Sequence, residues 1–401
     1  SVTAPDSELE PRPSAMIAPN KVKPTARRLR TGCQMRAARI RPRFKDPGEI
    51  SRQKHRMLNR SITVAILVVV AFHAQLASAQ QSSSVSGAVF TNPGARSIAL
   101  GGAFAAIADD ATAAFSNPAG LIQIVRPEIS AELRATGSAG PESGEIDVDG
   151  GVSGLGFFSF VYPFQKWAFA AYSHNLGSLD FTFDAGSPVT REFTIRSFAG
   201  AGAIQLSEKL SIGAGVSYFL GDRSAGAAEI SDTDWGFNAG VLWSPSRSWD
   251  LAGFYRQGPS FDAQDRPARL TFPDEYGLGV AFQPGAGAFT IAFEWDRVGS
   301  AADPYLDENT VTDGGSEFHL GVEYAVLKWK PVVAFRTGVW REPGRSQDLF
   351  IGSIPIGSIS IEARTHFAFG FGLAFKRFQI DVGGDLTDRT AIGSISIVYS
   401  F

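Results

Sequence analysis

From residue 126 to the end of the chain, apolar and polar positions alternate with period two. Phe289, Ile291, Phe293 and Trp295 share one face of an extended segment, and Thr290, Ala292, Glu294 and Asp296 share the other. Leu210, Ile212, Ala214, Val216 and Tyr218 alternate with Ser211, Gly213, Gly215 and Ser217, and the phenylalanines at 367, 369 and 371 alternate with Ala368, Gly370 and Gly372. Period two marks β-strands, whose successive side chains point to opposite faces. These runs reach about ten residues, against about five or six for strands in soluble sheets. Aromatics on one face and small or polar residues on the other fit strands with lipid outside and an aqueous lumen inside. A bilayer has no water to satisfy backbone groups, so such strands must close into a barrel.

About fourteen segments carry this pattern: 126–137, 152–163, 166–175, 191–206, 209–220, 230–244, 248–257, 268–283, 287–298, 315–327, 329–341, 361–375, 377–386 and 390–401. An even number is what bacterial barrels require, and the connections alternate long and short as theirs do. Long ones include 138–151, 176–190, 299–314 and 342–360; short ones include 163–165, 207–208, 244–247 and the Lys376–Arg377 join. In 191–206, Phe193 and Ile195 differ in parity from Phe198, Ile204 and Leu206, which predicts a β-bulge there or a displaced boundary. The last strand, SISIVYSF, places Ile395, Ile397, Tyr399 and Phe401 on one face. A final strand ending in Phe resembles the signal by which outer-membrane barrels are recognised, implying the barrel assembly machinery as a partner through Phe401.

The region before the strands divides in two. Met57 opens a basic, then apolar segment (Ile62–Phe72), followed by Ala77-Ser78-Ala79. This is the form of a secretory signal peptide over 57–79, too short in its apolar core to span a bilayer. Residues 1–56 are rich in Pro and Arg and read as a non-functional upstream extension; a nucleic-acid-binding arm is the other reading of their charge. Residues 1–60 hold 15 Lys and Arg against 5 Asp and Glu, whereas 61–401 hold 22 against 35. The single cysteine, Cys33, lies upstream of the expected cleavage, leaving no disulfide or thiolate chemistry beyond Gln80.

Enzyme motifs are absent. Gly-x-Gly pairs at 200–202, 213–215 and 370–372 lie within strands, where the nucleotide-binding reading fails and close approach of another backbone is the better one. His174, His319 and His366 sit on different strands; His319 falls near Glu317 or Glu323, and lumen hydrogen bonding is favoured over a metal site. No metal, cofactor or nucleic acid is expected, nor is catalysis. The inferred lumen carries Arg256, Glu275, Glu294, Asp296, Glu317, Glu323, Arg336 and Asp381, more acidic than basic.

Between signal and strands lies GARSIALGGAFAAIADDATAAFSNPAGL. Its small residues, Gly101-Gly102 with Phe104, Ala108-Asp109-Asp110 and Asn117-Pro118-Ala119 resemble the N-terminal hatch of the FadL-type outer-membrane transporters of long-chain fatty acids and aromatic hydrocarbons. FPDEYGLGVAFQP (272–284) also looks like a strand of that family. The resemblance implies an all-β transmembrane antiparallel barrel, 126–401, whose lumen is plugged by a hatch, 80–125. It further implies passive uptake of hydrophobic small molecules across the bacterial outer membrane, with lateral release where a strand kinks. Asp109 and Asp110 are expected to bond lumen arginines or cap a helical turn. Phe158, Phe160, Tyr162, Arg256 and Arg336 are the candidate ligand-lining residues. Two departures from the family are the short loops near 221–229 and 258–267 and the acidic lumen. A scaffold or secretion barrel and an open porin for polar solutes remain as alternatives.

Overall fold

The structure, a computed structural model, describes residues 91–138, 146–151, 154–184, 188–225, 228–262, 269–285, 287–302, 311–351 and 354–401. The extension expected at 1–56, the signal peptide at 57–79 and hatch residues 80–90 lie outside the described residues.

Fourteen antiparallel strands form a closed barrel. They are β1 Glu128–Ser138, β2 Gly154–Pro163, β3 Trp167–Asp184, β4 Pro188–Gln205, β5 Leu210–Ala225, β6 Ala228–Trp243 and β7 Trp249–Arg256. The ring continues with β8 Glu275–Phe282, β9 Phe289–Val298, β10 Gly315–Val326, β11 Val332–Glu342, β12 Arg364–Ala374, β13 Phe378–Leu386 and β14 Thr390–Ser400. β1 pairs with β14 from Glu128↔Ser400 to Ser138↔Thr390, so no barrel strand is left as an open edge.

Each expected segment overlaps one of these strands, but those expected at 166–175, 191–206 and 209–220 extend to Asp184, back to Pro188 and on to Ala225, so most of the long connection expected at 176–190 is paired strand. Two boundaries shift because proline has no N–H for the ladder. The segment expected at 268–283 is Arg269–Thr271 followed by β8, with Pro273 between them, and β11 starts after Pro331. The strands β3 to β6 run 18, 18, 16 and 16 residues. A bilayer-crossing strand needs only about 9–11, so these four rise beyond the membrane at the end bearing the long connections. A second sheet of six short strands gathers at that end, among them Ser260–Asp262, Arg269–Thr271 and Arg345–Ile351.

The alternation sorts the side chains as expected. All eight inferred lumen residues are buried, while Phe293, Phe367, Phe369, Leu278 and Tyr399 lie exposed on the outer face. Trp167, Trp243, Trp249 and Trp329 sit outward by the short turns, and Trp235 and Tyr276 lie outward toward the other end. Such paired aromatic girdles mark the two membrane interfaces.

The parity change in β4 has another origin than a bulge in that strand. Phe193, Ile195, Ser197, Ala201 and Ala203 keep one inward parity, and β4 pairs with β5 without interruption. The upper half of β4 simply turns its bulky residues inward and the lower half turns them outward. The bulge lies on the neighbouring strand: between Asn175↔Arg196 and Gly177↔Ile195, Leu176 is the extra residue of β3. A second irregularity leaves Gly156 extra in β2, between Phe157↔Glu132 and Leu155↔Leu133.

Candidate functional site

Within the barrel the chain from Thr91 to Ile124 is a plug. It contains two short helices, α1 Ala95–Ala99 and α2 Ala113–Ser116, and a 3-10 turn at Pro118–Gln123. Alanines dominate its buried positions, which lets the backbone lie against the wall. Glycines in the wall provide the approach. A Cβ on Gly338 would lie 2.4 Å from the Gly101 nitrogen, one on Gly213 2.4 Å from the Pro118 carbonyl carbon, and one on Gly383 2.2 Å from the Ala95 oxygen. Gly101 and Gly102 themselves turn at φ 63° and 83°, which favours glycine.

The wall also answers the plug's backbone polar groups, as buried amides require. The Glu294 carboxylate accepts from the Phe104 and Ala105 N–H groups at 2.8 and 2.7 Å. Glu132 accepts from Gly94 N–H at 2.9 Å, Ser211 donates to the Ala119 carbonyl at 3.0 Å, and Asn238 donates to the Ala114 carbonyl at 3.0 Å. The His319 Nδ1 faces the Gly101 carbonyl at 2.7 Å, a position only a donor N–H can fill.

The motif residues hold the plug's own shape. Asn117, fully buried, accepts from Ala119 N–H at 3.2 Å and donates to the Ala105 carbonyl at 2.9 Å and the Val241 carbonyl at 3.3 Å. Pro118 follows it at the first position of the 3-10 turn, where no N–H is needed. Asp110 accepts from both the N–H (2.9 Å) and the hydroxyl (2.5 Å) of Thr112, just before α2.

Asp109 pairs with an arginine of the plug itself, not with one of the lumen wall as expected. Arg96 bonds Asp109 and stacks over Phe104 at 5.6 Å. Its other edge grips Glu323 of β10 at 3.0 and 3.3 Å. Glu323 accepts from Arg336 at 2.6 Å, and Arg336 reaches Asp381 at 2.7 Å. A buried chain of alternating charge therefore runs from plug to wall. Burial pushes the Asp109 carboxyl up to about 6 despite Arg96, with Asp110 adding to the rise. The sequence did contain a signal for Arg96: it is the sole cation between 80 and 125, and Asp109 and Asp110 are the only acids there.

The candidate ligand-lining residues separate. Phe158, Phe160 and Tyr162 are 43%, 40% and 46% exposed and face outward, which corrects their placement in the lumen. The inward residues of β2 are Phe157, Ser159 and Val161. Both faces of this strand are apolar, so the pattern alone left its phase open. Arg256 and Arg336 do face the lumen, but each is occupied by wall carboxylates: Arg256 lies 3.1 Å from Glu275.

Phe157 belongs to an aromatic group at the plug–wall boundary. Phe115 of α2 meets Tyr172 and His174 edge-on at 6.4 and 4.6 Å, and Phe157 lies 5.6 and 5.5 Å from the same two rings. Beside this group the wall ladder stops. β2 and β3 pair from Pro163↔Ala168 to Phe157↔His174; beyond that, Ser178–Phe183 pairs with Ile146–Gly151 instead. Gly154–Gly156 and Asn175–Gly177 lie past the end of the β2–β3 ladder, at the two bulges. Cβ atoms built on Gly154 and Gly177 would meet nothing within 4 Å. Toward the long-connection end, Phe193, Phe261 and Phe272 form a second buried group, with ring centroids 5.7–6.3 Å apart. Phe261 comes from the short strand Ser260–Asp262, within the segment expected as a loop, and its ring is buried.

A cavity of about 50 Å³ separates plug and wall, lined by Asn92, Glu275, Asp296, Glu317, His319 and Trp340 among others. A dry cavity that takes benzene has about 150 Å³, so this space is too small for an aromatic ring. His319, Trp340 and His366 stack across β10, β11 and β12 with centroids 5.2 and 3.7 Å apart. Among the described residues no group of three or more His, Cys, Asp or Glu is arranged to hold a metal ion.

No family model and no curated protein matches the sequence. Solved structures do match. The Ralstonia pickettii toluene transporter TbuX aligns at 13% identity with a TM-score of 0.56, over 78% of this chain and 99% of that one. The P. putida toluene transporter TodX aligns at 14% and 0.55, again over 78% and 99%. The monoaromatic hydrocarbon channel CymD aligns at 15% and 0.53, over 78% and 98%. These proteins are described as transporters or channels, not enzymes. The chain thus shares the fold of these solved hydrocarbon transporters and channels, here a fourteen-strand barrel with its N-terminal segment plugged inside.

Proposed function

We propose that the protein is a passive outer-membrane channel for hydrophobic compounds, with release sideways through the wall. The observation that carries this reading is the end of the β2–β3 ladder at Gly154–Gly156 and Asn175–Gly177, backed by Phe115, Phe157, Tyr172 and His174. A solute entering from the long-connection end first meets Phe193, Phe261 and Phe272. The plug blocks passage straight through the barrel, so an apolar solute reaches lipid by the wall break. Leu133, Leu155 and Phe158 are exposed on the outer face beside it.

The same geometry favours neutral aromatic hydrocarbons over fatty acids. A carboxylate ligand needs a free cation, and Arg256 and Arg336 are held by Glu275, Glu323 and Asp381. The cavity described above is too small for either, so loading requires the aromatic group or the plug to move. Residues 57–79 act as the export signal in this reading. The outward face of β14 ending at Phe401 is what the barrel assembly machinery reads.

Uptake of labelled toluene and labelled oleate by a host lacking its own transporter tests this reading. Toluene uptake above oleate uptake is expected. No uptake of either by a correctly inserted barrel overturns the transport reading.

A further inference from the structure

Charge on the six short turns is almost all of one sign. Lys166, Lys209 and Arg247 lie on the first three, Lys328 and Lys330 on the fifth, and Lys376 and Arg377 on the sixth. Arg126, just ahead of β1, adds an eighth cation, and Glu208 is the lone acid in these turns. All eight cations are exposed. The opposite end exposes Asp262, Asp274, Asp313, Asp348, Glu362 and Asp388 together with Arg269, Arg341 and Arg389, so charge there is mixed in sign and the basic turns do not reflect a general surface composition. Ion pairs among the described residues lie in the lumen or, for Arg196–Asp222 and Arg269–Asp262, toward the opposite end. The turn cations are therefore left without carboxylate partners among the described residues; Lys209 donates to the Pro245 carbonyl.

Aromatic rings adjoin these cations. Lys166 precedes Trp167, Trp329 lies between Lys328 and Lys330, and Trp249 follows Arg247 by two; all three indoles are exposed outward. Phe375 and Phe378 stack at 4.4 Å across the Lys376–Arg377 turn and fix its position. Indoles seat at the lipid headgroup level, and Lys or Arg beside them extends its charge to the phosphate plane.

From this arrangement we propose that the short-turn rim is a binding ring for anionic phospholipid headgroups. It holds the barrel at a fixed depth in a phospholipid leaflet and enriches acidic lipid around it. The ring lies apart from the lumen and the wall break and does not depend on the transport reading. An acidic protein partner fits the charge but leaves the adjoining indoles unexplained.

The test is quenching of tryptophan fluorescence in vesicles of phosphatidylcholine, with brominated phosphatidylglycerol compared against brominated phosphatidylcholine. The full chain, reconstituted, is expected to prefer the anionic lipid by about fivefold or more, the factor one Lys or Arg supplies at such a surface. The preference should fall toward parity at 1 M salt, where the screening length is about 3 Å. It should also fall in a variant combining Lys166→Gln, Arg247→Gln, Lys328→Gln, Lys330→Gln, Lys376→Gln and Arg377→Gln. If that variant does not insert, Lys328→Gln with Lys330→Gln serves, with a smaller loss expected. Parity in the unaltered protein, or a preference surviving the substitutions, overturns the proposal. Binding of polyglutamate without lipid preference also overturns it and assigns the rim to an acidic protein.

Discussion

Arg96 of the plug grips Glu323 of the wall by two hydrogen bonds, at 3.0 and 3.3 Å, while its third nitrogen holds Asp109. One guanidinium therefore fixes the plug's internal fold and its attachment to β10 together. Arg96→Met would leave Asp109 and Glu323 buried with fewer partners. Breaking a buried pair from one side costs about 3–5 kcal/mol. The expected outcome is a barrel that still inserts but conducts ions, read as raised conductance in planar bilayers. Unchanged conductance would mean that the pair does not hold the plug.

Asn117→Ala removes three hydrogen bonds from a fully buried site and leaves the Ala105 carbonyl without its side-chain donor. An unsatisfied buried group costs about 1–3 kcal/mol. A smaller rise in conductance than for Arg96→Met is expected, with the heat-modifiable gel migration of a folded barrel retained.

Gly338→Ala tests the close approach of plug to wall. The new Cβ would lie 2.4 Å from backbone atoms at Leu100 and Gly101, neither of which is the far end of a flexible side chain. Overpacking of this kind costs about 1–3 kcal/mol. Faster proteolysis of the plug in detergent, beside an unchanged barrel, is the expected result.

Deleting Leu176 removes the extra residue of β3 and would restore its register with β4. The wall break should narrow, and hydrocarbon uptake should fall several-fold while conductance stays low. Uptake at the unaltered rate would show that solutes leave by another route.

The carboxyl of Asp109 gives the plug a pH dependence of known sign. Its value rises from 3.8 to about 6 when the plug is docked, so the docked state binds more protons than the released one between those values. This contribution to docking is fully present below about pH 4 and is lost as pH rises through about 6. In Asp109→Asn that step should vanish from a profile of conductance against pH. A step of equal size in the variant would assign it to other groups.

Much of this architecture is written in local pattern. Fourteen strands were legible because lipid and lumen impose opposite preferences on successive residues, and the pattern repeats along most strands. Where both faces are apolar, as in LGFFSFVY, alternation loses its phase, and Phe158, Phe160 and Tyr162 were assigned to the wrong side. The parity change in β4 pointed to irregular pairing nearby, yet the bulge is at Leu176. Parity reports where side chains face, whereas a bulge is a property of two strands in register.

By itself the sequence determined the barrel, its strand count, the identity of the lumen-facing charges and the presence of a small-residue plug. Each follows from solvent contrast or side-chain size acting residue by residue. Tertiary structure alone decided that Arg96 joins Asp109 to Glu323, that wall glycines seat the plug backbone, and that the β2–β3 ladder ends beside Phe157 and His174. Those relationships join residues up to more than two hundred positions apart, as Arg96 and Glu323 are. Closing the ring is what brings them within hydrogen-bonding distance, and no local pattern encodes which of the buried carboxylates an arginine will meet.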